Sequence, residues 1–342
     1  MAGAGYRTFA SGEVLTATNV QTYLMDQAVQ VYAGTAARAS AVPSPSTGMV
    51  AYATATGLQV FNGSAWVNVG GGYGVATGGQ STATATISGS TYTILTFNST
   101  GTLTVTTAGF FEYLAIGGGS GNAYFNDPSV GGGGGGAGQV VFGSVYLSAN
   151  QTITIGAGSA GIQTTTKFNQ ASPTTIAATS PFQQNALGGT YGIDLAKQTS
   201  AYVGGGAGGN QNGVSFAITE SLALGYRGGA ATANGGGGGG GGQSGRGGDG
   251  GATSGGVGGT GVDISTFIGG SASYRATGGG GGGSASGGAG GNSSASSNAG
   301  STTSTANSAA ANSGSGGGSG YGSSTITGGA GGSGVCFIRF KV

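Results

Sequence analysis

Glycine fills 85 of the 342 positions and is gathered into runs such as 131–136 and 235–242. It loses more conformational freedom on ordering than any other residue and brings no side chain to bury. A run of it therefore stays a flexible linker, or folds only where backbone amides and carbonyls bond to a partner. That choice governs every functional reading of this chain.

Composition narrows the choice. Nine Lys and Arg stand against eight Asp and Glu, for a net charge of +1. Disordered chains usually carry high charge and few aromatics, whereas 13 Phe and 14 Tyr are spread through this one. Near-neutrality also removes the basic stripe of a nucleic-acid binder and the polybasic patch of a membrane anchor. With no His and a single Cys, zinc sites, Ser-His-Asp and Cys-His constellations and disulfide frameworks are excluded by count. Cys336 sits in the apolar stretch Val335-Cys336-Phe337-Ile338 and reads as a small core residue. The first seven residues hold no secretory-type apolar run, and no stretch approaches the roughly 20 apolar residues that span a bilayer. A soluble extracellular object that bypasses classical secretion fits these facts, as does a cytoplasmic protein.

Along the chain, residues 14–33 predict the one convincing helix. Thr18 and Gln21 suggest a capping box, and Val20, Leu24, Gln27 and Val31 form a stripe suited to a short coiled-coil seam or to docking on the same domain. After Pro43 and Pro45 the period changes. Residues 49–53, 58–61 and 65–69 predict three short strands, with Asn62-Gly63 as a tight turn and Trp66 as the core of a small meander. Residues 70–79 read as a flexible joint. Strands are expected at 83–87, 92–97, 102–106, 110–116, 139–147 and 152–155, spaced as in an antiparallel sandwich. Beyond residue 204, glycine runs alternate with spacers at 210–227, 262–277 and 292–315. Residues 334–342 form a clear strand that needs the glycine region to return it to a partner sheet. The domains expected are 1–40, 41–72, 80–160 completed by 334–342, and 161–333.

Linker and lattice predict different things for the glycine region. A Gly/Ser coil accounts for 292–315 but not for the recurrence of similar runs around aromatic spacers. A polyproline II strand rises about 3.1 Å per residue, has no internal hydrogen bonds, and points its amides and carbonyls outward. Glycine at the contact faces lets such strands approach and bond to one another. Ordering a residue costs on the order of 1–2 kcal/mol, and a backbone hydrogen bond returns about 0.5–1.5 kcal/mol. The lattice is therefore expected as one cooperative block docked on the sandwich. Collagen is excluded by five prolines and no fixed triplet.

Motifs that suggest enzymes fail in context. Glycine runs satisfy G-x-G-x-x-G by accident, no predicted helix follows them, and Lys167, Lys197 and Lys341 follow Thr, Ala and Phe rather than Gly. Asp127, Asp194, Glu220, Asp249 and Asp263 are scattered, as solvated or turn-forming carboxylates are. Arg246 and Asp249 predict a minor surface pair. No enzyme activity, cofactor or metal site is expected.

The chain resembles bacteriophage tail-fibre and receptor-binding proteins with a glycine-rich carboxyl-terminal domain. One carrying stretch is 9–69, with Gly12-Glu13-Val14-Leu15-Thr16, Asn19-Val20-Gln21-Thr22-Tyr23-Leu24, Ala36-Ala37-Arg38, Pro43-Ser44-Pro45 and Phe61-Asn62-Gly63-Ser64-Ala65-Trp66-Val67. The other is 106–342, with Leu114-Ala115-Ile116-Gly117-Gly118-Gly119, Thr152-Ile153-Thr154-Ile155-Gly156-Ala157-Gly158 and Gly332-Ser333-Gly334-Val335-Cys336-Phe337-Ile338-Arg339-Phe340. The resemblance implies a mainly β fold: a short N-terminal helix, a small β-meander and an antiparallel β-sandwich followed by a polyglycine II helix bundle. It also implies a virion location after synthesis in the host cytoplasm. Implied partners are other tail proteins, through the N-terminal segment, and a host surface polysaccharide or outer-membrane protein. It implies a homotrimer, although an attachment-like start on the same chain leaves one copy or three as alternatives.

Recognition would rest on rigid amphipathic aromatics and arginines in the spacers. The candidates are Tyr124, Phe125, Phe182, Tyr191, Tyr202, Phe216, Tyr226 with Arg227, and Tyr274 with Arg275. For each, the competing expectation is that it pins its loop to the bundle. A purely structural spacer or decoration fibre is the second functional class, and an ice-binding surface a weaker third.

Overall fold

A computed structural model describes residues 10–20, 29–54, 56–69, 72–122, 130–161, 170–177, 183–186, 189, 225–232, 235–292, 299–303, 305–322 and 328–342. The chain divides into two units, Met1–Gly72 and Tyr73–Val342.

In the first unit, α1 (Ala17–Val20) is capped by Thr16, whose Oγ1 accepts the Asn19 amide at 3.2 Å. Thr16 thus takes the role expected of Thr18; Gln21, Leu24 and Gln27 lie outside the described residues. The expected helix 14–33 does not run to its end. Residues Gln30–Tyr32 are a strand, β1, pairing in parallel with β2 (Val50–Ala53) in a register that sets Val31 beside Tyr52. The β-branched and aromatic residues there suit a sheet better than a helical stripe. A helix the periodicity misses, α2 (Thr35–Ala41), follows; it has only seven residues and no apolar stripe. The meander appears as β2, β3 (Gly57–Phe61) and β4 (Trp66–Asn68), paired antiparallel. Asn62 Oδ1 accepts the Ser64 and Ala65 amides, and Gly63 takes a φ of 104° that favours glycine. Trp66 is half-buried against Phe61, with the Arg38 guanidinium 4.5 Å above its ring. Arg38 also donates to the Gln59 side chain.

The second unit begins with β5 (Val75–Thr77), inside the segment expected to be a flexible joint. Ala76 is buried and β5 bonds to β8, so apolar contact wins over the flanking glycines. The strands continue as β6 (Ser81–Ile87), β7 (Ser90–Phe97), β8 (Gly101–Thr107), β9 (Gly109–Ile116), β10 (Val140–Leu147) and β11 (Gln151–Thr154). They match the expected strands within a few residues. Two further strands, β12 (Thr174–Ala177) and β13 (Gln183–Ala186), fall within 161–333, the region expected to be the glycine-rich bundle and its loops. Then come β14 (Val262–Asp263), α3 (Ser265–Ile268), β15 (Tyr274–Arg275) and the terminal β16 (Val335–Lys341). Two five-stranded antiparallel sheets result, ordered β10-β9-β16-β7-β6 and β13-β12-β11-β8-β5. The last strand thus sits at the centre of its sheet, between β7 and β9. One apolar cluster joins the sheets: Leu95, Phe97, Phe111, Cys336, Ile338 and Phe340 meet Leu103, Ile153 and Ile176. Full burial of each such side chain contributes about 1.5–3 kcal/mol. Cys336 is wholly buried in this cluster, and desolvation pushes its thiol pKa well up.

The glycine runs lie alongside one another and are joined by backbone hydrogen bonds. Run 235–242 shows the rule. The amides of Gly236, Gly239 and Gly242 donate to the carbonyls of Gly251, Gly248 and Gly245 at 2.8, 2.9 and 2.9 Å. Those of Gly237 and Gly240 donate to a second neighbour, Gly282 and Gly279, at 2.9 and 2.8 Å. The carbonyls of Gly235, Gly238 and Gly241 accept from a third, Gly131, Gly134 and Ala137, at 2.9, 3.0 and 3.1 Å. Every third residue therefore addresses the same neighbour. Run 131–138, which precedes β10, belongs to this array. Backbone bonding, rather than side-chain burial, holds it together.

Candidate functional site

The array has two ends. At one, runs pass directly into β9, β10 and β16. At the other, Gly235 donates to Thr232 and Gly251 to Ser254, and longer-range bonds run from Ala285 to Thr253 and from Tyr321 to Thr303. This far end presents small hydroxyl and methyl side chains, among them exposed Thr253, Ser284, Ser286, Thr302 and Thr303 beside half-buried Tyr321.

Of the sequence candidates, Tyr226, Arg227, Tyr274 and Arg275 are described. They fall at the sheet end. The Tyr226 amide donates to Gly242 and the Arg227 carbonyl accepts from Gly247, both at 3.0 Å. Tyr274 and Arg275 form β15, opposite Asp263 and Val262. Run 235–242 links the two pairs, since the next residue, Gln243, donates its amide to Ala276 at 3.0 Å. Gln243 Oε1 in turn accepts the Val140 amide at the start of β10. All four candidate side chains are half-buried. Arg275 donates to the Tyr274 carbonyl at 3.1 Å, its Nε is buried, and desolvation lowers its pKa. Tyr124, Phe125, Phe182, Tyr191, Tyr202 and Phe216 lie outside the described residues. Asn122 and Val130, which flank the first two, are buried residues of the array.

Residues 262–276 leave the array, cross the outer face of the first sheet and return. Ile264, Phe267 and Ala276 pack on Ile94, Leu114, Ile116, Val335 and Phe337. Asp263 shapes the excursion: Oδ1 accepts the Ser265 and Ser273 amides at 3.0 and 2.8 Å, and Oδ2 accepts the Ser265 hydroxyl at 3.0 Å. These bonds, led by the Ser265 amide, hold its carboxyl below the usual range.

A charged cluster that no local sequence motif signals fastens the excursion from beneath. Arg339 of β16 donates through Nε to Glu112 of β9 at 2.6 Å, and through Nη1 to the Phe267 carbonyl at 2.7 Å. Its guanidinium lies 4.2 Å from the Phe267 ring centre and 4.5 Å from that of Tyr92. Glu112 also accepts the Tyr73 hydroxyl at 2.6 Å; that bond is the chief reason the phenol pKa is raised. The available signal was one carboxylate in the apolar strand Phe110-Phe111-Glu112-Tyr113-Leu114 and one guanidinium in Phe337-Ile338-Arg339-Phe340. The register sets these two opposite each other. The expected surface pair of Arg246 and Asp249 forms at 2.6 Å.

Among the described residues, no group of His, Cys, Asp or Glu is arranged to hold a metal ion. None of their helices is long and apolar enough to cross a membrane. The chain belongs to the glycine-rich domain family, whose model matches residues 95–341, from within β7 almost to the terminus. Neither a curated protein nor a solved structure matches it.

Proposed function

We propose that this chain is a bacteriophage tail-fibre adhesin. In this reading the glycine array is a bundle of polyglycine II helices, the paired sheets are its mount, and the first unit attaches to other tail proteins. The observation that carries the bundle reading is the three-residue period with which run 235–242 changes hydrogen-bond partner. A left-handed helix of three residues per turn, lacking internal bonds, turns its backbone groups to its neighbours with that period.

Receptor contact belongs to the end remote from the sheets. Main-chain bonds join the turns there, and exposed side chains such as Thr253 and Ser286 are available to a host polysaccharide or outer-membrane protein. Tyr124 and Phe125, between Asn122 and Val130, remain candidates for that contact. Tyr226, Arg227, Tyr274 and Arg275 fit better as residues that pin spacers beside the mount. The chain acts by binding, not catalysis, and needs no cofactor.

The purified full chain, added to host cells before the phage, should block adsorption in a dose-dependent way. A purely structural fibre would leave adsorption unchanged, and that result would sink the adhesin reading. Thr253→Trp and Ser286→Trp, which place bulk on the far end, should weaken the block. Tyr226→Ala and Tyr274→Ala should leave it intact.

A further inference from the structure

We propose that two copies of this chain pair edge to edge through β10, about a two-fold axis at Ser144. Among the described residues no strand lies beyond β10 in its sheet. Its eight residues, Val-Val-Phe-Gly-Ser-Val-Tyr-Leu, contain no charge and no proline, the devices that usually blunt an open edge. Phe142 is 73% exposed and Tyr146 51% exposed, with Phe110 standing edge-on to Tyr146.

The parity of the strand supplies the register. Gln139 accepts the Gly117 amide at 3.0 Å, so odd-numbered residues of β10 bond inward to β9. Even-numbered residues turn their amides and carbonyls outward; the Val140 amide, which goes to Gln243 rather than to β9, follows the same rule. The groups left at the open edge are those of Phe142, Ser144 and Tyr146. An antiparallel copy centred on Ser144 opposes Ser144 to itself and Phe142 to Tyr146. Each of the three then donates and accepts across the axis. In an antiparallel pair, directly opposed residues share a face. Phe142 therefore meets the second copy's Tyr146 on the outer face, twice by symmetry, as an isologous contact requires. A centre at Gly143 or Val145 also opposes even residues, but it sets Tyr146 opposite Val140, whose amide Gln243 already holds, or Phe142 opposite Ser148, beyond the strand; only the Ser144 centre pairs all three open residues with one another. The self-complementarity of this one register, with no charge to repel a copy, selects a second copy as the occupant.

Light scattering on the purified full chain tests the proposal. A mass of twice 31.9 kDa is expected. Ser144→Lys sets like charges opposite each other across the axis, and should weaken association about tenfold or more while circular dichroism is unchanged. Ser144→Cys offers a positive readout. Opposed Cα atoms in a hydrogen-bonded antiparallel pair lie about 5.5 Å apart, within disulfide reach. Mild oxidation should then give a covalent dimer on a non-reducing gel, and Thr104→Cys, exposed on β8, should not. Native Cys336 is buried and adds no background. A mass of one chain or three, a two-chain mass that survives Ser144→Lys, or failure of Ser144→Cys to cross-link overturns the proposal.

Discussion

Alanine in place of Gly240 challenges the claim that main-chain bonding holds the glycine array. The Gly240 amide donates to Gly279 and its carbonyl accepts from Gly259, each at 2.8 Å. A Cβ at this position would come within 3.0 Å of the Gly135 carbonyl, nearer than real Cβ atoms approach. The obstacle is backbone and is itself held, since Gly135 donates to Gly317 at 2.8 Å and accepts from Gly279 at 3.0 Å. Runs 131–138 and 235–242 must therefore part. The bonds between them that flank the methyl, Gly134 to Gly238 and Ala137 to Gly241, stretch or break. All these residues are buried, so water does not replace the lost partners. Each unsatisfied buried group costs about 1–3 kcal/mol, and one broken bond leaves a donor and an acceptor, so the loss of either bond alone costs about 2–6 kcal/mol. At an open position the same substitution stabilises by about 0.4–1 kcal/mol, through the unfolded chain. The structure thus reverses the usual sign. Calorimetry should show the unfolding temperature of Gly240→Ala lowered by roughly 5–20 °C. Gly101→Ala is the control: there the nearest atom to a new Cβ is Phe97 Cδ1, in ordinary contact at 3.6 Å. Equal unfolding temperatures for the two variants would refute the reasoning.

Arg339→Met should destabilise the second unit by about 2–4 kcal/mol, because it strands Glu112 and frees the Phe267 carbonyl; faster amide exchange at 264–268 checks it. Asp263 has a folded-state pKa depressed below its unfolded value, so its contribution is complete above roughly pH 4 and is lost as pH falls through the folded value. Asp263→Asn should flatten that acid limb in unfolding curves taken between about pH 2 and 6. Cys336, buried with its thiol pKa raised, should resist iodoacetamide in the native protein and react once denatured; labelling at the native rate of an exposed thiol would contradict the burial.

The strands could be read because their side chains alternate. Residues 110–116 place Phe111, Tyr113 and Ala115 in the core and Phe110 outside it, and 335–341 are apolar enough to demand a central position. Such patterns record burial on two faces directly. The helix expected over 14–33 failed where Val31 and Tyr32 joined a sheet, since a spacing of three or four residues does not separate a seam from a short strand. The excursion over 262–276 was visible only as a spacer. What fixes it is pairing across long stretches of chain, from Arg339 to Glu112 and to the Phe267 carbonyl, and no local pattern encodes that. Tyr274 and Arg275 illustrate the cost. Their residue types suit a recognition loop, but Ala276 beside them packs under Ile116 and Val335, at the sheet end.

The array and the sheets divide stability between different atoms. In the sheets, Phe97, Phe111 and Ile338 carry it, and any change of volume there is felt by close-packed neighbours. In the array, carbonyls and amides carry it, and a side chain is an obstacle wherever runs touch. At the far turns neither condition applies. Ala285 bonds to Thr253 through main chain alone, and both side chains are exposed. Substitution of these two side chains leaves that bond in place. The turns are thus the part of the second unit whose side chains are least tied to its folding, while the three-residue bonding rule still fixes where their ends emerge. A surface whose chemistry can change without loss of its mount follows from glycine bonding itself, whatever that surface touches.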